Sequence, residues 1–284
     1  MNVASKLRVE FGTAVLVAGV VLLLAAVAQA RQLSVPQGDQ SINQRQNEMD
    51  DLTDVQRQTG VDSKQKSAYK KFLNVNEEEP DKKIELGTEF LKKYPTSPFT
   101  EAIDAGLTNA YLAKQDWKDF YTYADKVLAQ NPDEVDVLTT VGWVIPHQYD
   151  PNAPGAAQQL QTAETDEKHA LDLLAKVPKP KGMSDQEFAA TKAQKSRQAH
   201  SALGLIYFRQ GDYTESASEL QQSTQAGANQ DPTDLFVLGV DLQNLNRHAE
   251  AAKAFGECSQ IAGALQDRCK QSASDESHSA GGGH

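Results

Sequence analysis

Along most of this chain apolar side chains recur every third or fourth residue, the spacing that gathers them on one face of an α-helix. Two such series are Leu107 with Tyr111, and then, six residues on, Trp117, Phe120, Ala124 and Leu128, closed by Pro132. From Lys64 onward the pattern predicts helices throughout and no strands. Two stretches depart from it. Phe11 to Ala28 is an uncharged apolar run, and residues 31–63 are polar, rich in Gln, Asn and Asp, with Pro36 and Gly38. The second has the composition of a flexible linker. Within it Ile42, Met49, Leu52 and Val55 have loosely helical spacing, which leaves open a short amphipathic helix or weak coiled coil.

The helical part repeats itself. Leu203-Gly204, Tyr207, Gln210-Gly211-Asp212-Tyr213 and Glu215-Ser216 form one pattern. Leu238-Gly239, Leu242, Asn246-Arg247-His248, Glu250-Ala251 and Phe255 form its near copy, 35 residues later. Leu107 and Val141 lie 34 residues apart, and Val141 and Leu203 lie 62 apart, one period plus 28 extra residues. Part of the excess is a widened turn holding Pro146, Pro151, Pro154 and Gly155, before a small residue at Ala163. The rest follows Leu171, where Val177-Pro178-Lys179-Pro180 must end a helix because proline lacks a donor and restricts its predecessor. Ser184 is placed to cap the next helix, with Asp185 and Glu187 favourable at its N-terminus. Ile84, Phe90, Leu91 and Tyr94-Pro95 suggest a degenerate first unit, whose leading helix near Ala68 to Leu73 fits poorly. A period in this range is that of stacked helix pairs, each unable to bury its apolar face alone.

These residues resemble the tetratricopeptide repeat. The likeness is strong at 197–230 and 232–263, fair at 101–134 and weak elsewhere. It implies an all-α solenoid of about four to five helix-turn-helix repeats over residues 64–271, wound as a right-handed superhelix. It also implies that Gly204 and Gly239 sit where the two helices of a pair come closest. In that family the first helix of each pair lines a groove that holds other proteins. Carried over, the groove positions are Asn109, Trp143, Ser201, Leu205, Phe208, Arg209, Phe236, Val240, Gln243 and Asn244. The partner implied is another protein, presenting an extended segment or an amphipathic helix to the stripe of Phe208, Phe236 and Val240. A groove for the C-terminal carboxylate of heat-shock chaperones is not expected. Asn109 matches one position of such a clamp, but Ala105, Ser201 and Phe236 stand where cations are needed.

Charge and targeting signals narrow the setting. The net charge of −11 argues against nucleic acid and against broad adhesion to anionic lipid. Lys6 and Arg8 precede the apolar run, and Ala28-Gln29-Ala30 offers small residues at a cleavage site, so residues 1–30 read as a signal peptide. The run from 11 to 28 is also long enough to be retained as an anchor in the inner membrane. Either way the remainder lies outside the cytoplasm, with the bacterial periplasm favoured. No cysteine follows the run, which excludes a lipoprotein anchor.

Little in the chain suggests catalysis. A Gly-rich phosphate loop, an HExxH helix, a CxxC pair and a GxSxG elbow are all missing. Glu77-Glu78-Glu79 reads as a solvated helix start. His147, His169, His200 and His248 are dispersed, and His200 reads as a packing residue. No cofactor or metal is expected. Cys258 and Cys269 are expected to pair in an oxidising compartment, provided the chain reverses near Gly263. The alternative is two reduced, buried thiols. Residues 272–284 read as a disordered tail. The favoured function is a non-enzymatic, exported protein-interaction scaffold, with envelope assembly as a candidate process. The alternatives are a self-assembling structural protein and an enzyme with its site in the 146–155 insertion.

Overall fold

A computed structural model describes residues 61–225 and 230–281, and the signal, anchor and 31–60 linker expectations lie outside them. Eleven helices and no strands occur among the described residues. They are α1 (Ser63–Leu73), α2 (Pro80–Lys93), α3 (Thr100–Lys114), α4 (Trp117–Gln130), α5 (Val135–His147) and α6 (Ala156–Lys176), then α7 (Asp185–Gln210), α8 (Tyr213–Thr224), α9 (Pro232–Asn244), α10 (His248–Cys258) and α11 (Gln266–Gly281). None of them is long and apolar enough to cross a membrane. The described residues fall into two compact units, 61–141 with 166–196, and 142–165 with 197–281. Within each, helix pairs stack as in an α-solenoid.

Three of the pairs are closed by one recurring turn. At the ends of α3, α7 and α9 the chain turns through Gln115 (φ 56°), Gly211 (φ 82°) and Asn246 (φ 59°), all left-handed. In each turn the next amide reaches back five residues. Asp116 N donates to Tyr111 O at 3.0 Å, Asp212 N to Tyr207 O at 3.0 Å, and Arg247 N to Leu242 O at 2.8 Å. This closure satisfies helix-end carbonyls and favours Gly or Asn at the left-handed residue, so Gln115 is the unusual one. Asp116 and Asp212 then cap the second helices, accepting from Asp119 N and Glu215 N. The anticipated cap at Ser184 is a reciprocal box, with Glu187 N donating to Ser184 Oγ and Ser184 N donating to Glu187 Oε2.

Packing follows from small residues where helices meet. A Cβ on Gly204 would lie 2.5 Å from Leu220 Cγ, and one on Gly239 2.5 Å from Phe255 Cε1. Both glycines are therefore the contact points that their repeat positions imply. The first unit uses the same device in Gly87 and Gly106, which face Phe72. That phenylalanine, with Tyr69, Phe90, Phe99, Ile103 and Leu107, forms the unit's core. The first helix pair lacks the left-handed turn of the others, its second helix has no side-chain cap, and its order begins before Lys64, with Val61 buried and Asp62 capping α1.

The C-terminus departs most from expectation. Residues 272–281 continue α11, whereas their Ser- and Gly-rich composition suggests a disordered tail. Covalent, cation–π and polar contacts tie this weakly apolar helix to the last pair. Cys258 and Cys269 are disulfide-bonded, with Cα atoms 5.8 Å apart across the reversal between α10 and α11. The guanidinium of Arg268 lies 4.9 Å from the centre of the Phe236 ring. The Glu276 carboxylate, almost fully buried, accepts from Gln243 Nε2 at 2.6 Å and meets His248 Nδ1 at 2.7 Å.

Candidate functional site

The ten groove positions do not form one open surface. Three are interior. Ser201 donates to Asp234 Oδ1 at 2.8 Å, and Leu205 and Phe236 belong to the core of the second unit. They are buried because the neighbouring pair and α11 cover them, which the repeat position alone does not reveal. Gln243 is engaged by Glu276, and Asn244 donates to Val240 O at 2.8 Å. Phe208 and Val240 are partly buried against the same core. Trp143 is partly exposed, its ring 4.0 Å from that of His147. Asn109, in the other unit, is exposed. Partly open apolar side chains thus remain at Trp143, Phe208 and Val240, on α5, α7 and α9 of the second unit.

Two buried aspartates sew α9 to the pair before it. Ser216 Oγ lies 2.8 Å from Gly204 O and 2.5 Å from Asp241 Oδ2. Ser223 Oγ lies 3.0 Å from Leu220 O and 2.8 Å from Asp234 Oδ2. Burial pushes Asp241 up to about 8 and Asp234 up to about 7. His200, expected to pack, is half-buried and pairs with Glu219 at 2.6 Å.

The 146–155 insertion, whose Pro146 and His147 belong to the end of α5, shapes a different feature. Tyr149, the face of α6 carrying Leu160, Gln161 and Glu164, and the end of α7 enclose an open pocket of about 370 Å³. Arg209, a predicted groove residue, lines it instead. Its Nε donates to Pro146 O at 3.2 Å, and its guanidinium carbon lies 6.0 Å from the Tyr149 ring centre. No carboxylate pairs with it among the described residues, its Nη1 is buried without an acceptor, and burial holds its pKa below the ordinary arginine value. Glu164 accepts from Tyr207 Oη at 3.2 Å and from Gln210 Nε2 at 3.1 Å. Beside the pocket, His147 is buried, and burial lowers its pKa. A carbonyl only accepts, so its Nδ1 carries the proton donated to Trp143 O, leaving Nε2 a buried lone pair with no partner. The enzyme alternative required titratable groups converging at this insertion. Glu164, Arg209 and Tyr149 do meet there, and the Tyr207 hydroxyl is hydrogen-bonded to Glu164 beside them. Tyr149 and Leu160 carried no sequence signal for this role, since the insertion interrupts the repeat pattern and on α6 only Ala163 was placed in it.

No family model matches the chain, and no curated protein matches it in sequence. Among solved structures it is similar to a thermophilic TPR protein from Thermus thermophilus, with 15% identity, 69% of this chain and 89% of that chain covered, and a TM-score of 0.46. It is also similar to a tetratricopeptide repeat protein from Parabacteroides merdae, with 12% identity, 75% and 98% covered, and a TM-score of 0.29. At such values the helix-pair assignment rests on the recurring turns and glycine contacts above.

Proposed function

We propose that the chain is a non-enzymatic scaffold, exported from the cytoplasm, that holds a segment of another protein against the first helices of its repeats. The observation that carries this reading is the set of partly open apolar side chains at Trp143, Phe208 and Val240 on α5, α7 and α9. Side chains of this kind, partly exposed on rigid helices, suit an apolar stripe of a partner. An extended strand or an amphipathic helix would serve, and envelope assembly is the process we favour.

Export is supported by the apolar run from 11 to 28 and by the disulfide, since such bonds persist in oxidising compartments. The chain would be periplasmic, or held at the inner membrane if the run is retained. Photo-crosslinking in cells tests the scaffold reading. A photoreactive residue at Trp143 or at Val240 should capture the same partner, and one at exposed Lys253 on the second helix α10 should not. Equal capture from Lys253, or none from either inner position, would refute it.

A further inference from the structure

A buried cation is costly unless an anion or several acceptors accompany it, because the low-dielectric interior cannot replace its hydration. Arg209 is mostly buried, holds one backbone carbonyl through Nε, and has no ion pair among the described residues. Its remaining compensation is the Tyr149 ring. It also lines the open pocket, together with the exposed amides of Gln161 and Gln210. A fixed, uncompensated guanidinium at an open pocket with amide donors is the arrangement that receives an anion.

The rest of the lining narrows the class. Glu164 also borders the pocket, so a ligand with two acid groups would set one of them against this carboxyl. Leu160, Ala157 and the Tyr149 ring give the walls apolar area. The volume, about 370 Å³, is at the small end of ligand sites. We infer that this pocket binds a monocarboxylate carrying a compact apolar or aromatic body, its carboxylate on the guanidinium of Arg209 and its body between Tyr149 and Leu160. This site is distinct from the apolar side chains of the scaffold reading, since it is built by the insertion, α6 and the last two residues of α7.

Calorimetric titration of the full-length protein at low salt tests this, with 3-phenylpropionate and its uncharged amide as probes. The acid should bind saturably, and the amide at least about tenfold more weakly, as expected when a charge-assisted pair is lost. Arg209→Met should weaken the acid about tenfold. Gln161→Glu, at an exposed position that leaves the fold intact, should do the same by repulsion. A short peptide ending in a free Phe carboxylate, set against its C-terminal amide, separates the sources. Tighter binding of the peptide acid assigns a chain terminus, and tighter binding of phenylpropionate a free small acid. Equal binding of acid and amide, an unchanged Gln161→Glu, displacement by inorganic phosphate at equal concentration, or no saturation by either acid overturns the inference.

Discussion

Ser216 and Asp241 share a proton that the serine cannot supply. The hydroxyl has one hydrogen and two oxygen neighbours, Gly204 O at 2.8 Å and Asp241 Oδ2 at 2.5 Å. A carbonyl only accepts, so Ser216 donates to Gly204, and Asp241 must be the carboxylic acid that donates to Ser216. Burial, which pushes Asp241 up to about 8, agrees with that count. Because the folded pKa is raised, the unfolded chain binds fewer protons, and stability falls as pH rises from about 4 to about 8. Asp241→Asn keeps a donor toward Ser216 without the titration. Its urea midpoint should match wild type near pH 4 and exceed it by roughly 3–5 kcal/mol in stability at pH 9. A constant difference across that range would show that Asp241 is ionised throughout.

Gly204 leaves no room for a side chain. An added Cβ would meet Leu220 Cγ at 2.5 Å and the Leu220 backbone nitrogen at 3.3 Å. Gly204→Ala should cost about 1–3 kcal/mol by overpacking. Leu220→Ala clears the side chain but not the backbone, so the double variant should be more stable than the sum of the two losses. Thermal melts of the four proteins decide it, and strict additivity would refute the contact.

Glu167 is fully buried, and neither carboxylate oxygen has a partner among the described residues. Burial, and secondarily the adjacent Asp166, raises its pKa well above the usual carboxylate value. The same sign applies as for Asp241. Stability is lost as pH rises from the ordinary Glu value through the raised one. Glu167→Met, of similar volume, should add at least about 2 kcal/mol at pH 7, and a smaller gain at pH 4, where only an unpartnered neutral acid is removed. An unchanged or lower melting midpoint at pH 7 would contradict it.

The Cys258–Cys269 bond should contribute about 2–3 kcal/mol by closing a short loop. Reduction should raise amide exchange in α11 and α10 well before α8. A thiol reagent applied to the unfolded, unreduced protein should modify neither cysteine, and modification of both would sink the assignment.

The sequence made some of this legible and hid the rest for physical reasons. Gly204 and Gly239 could be read because the closest approach within a pair is a local property that recurs with the period. Exposure is not local. Ser201, Leu205 and Phe236 hold groove positions in the repeat, yet neighbouring pairs and α11 bury them. The helix from 272 to 281 was hidden because Cys269, Glu276 and Arg268, rather than an apolar stripe, attach it. The pocket was half visible. Pro146 to Gly155 stood out as an insertion, but nothing in it marked Tyr149 as a partner for Arg209.

The covalent seal on α11 also restricts how this molecule can change over generations. Repeat proteins lengthen and shorten by duplicating or losing whole helix pairs. Any pair other than a copy of α9–α10, inserted between α10 and α11, would carry Cys258 away from Cys269 and strip Gln243 and His248 of Glu276. Such an offspring would lose its staple and expose Phe236 in a single event. Growth beside α11 therefore has to copy α9 and α10 themselves, whose Phe236, Gln243, His248 and Cys258 make the seal.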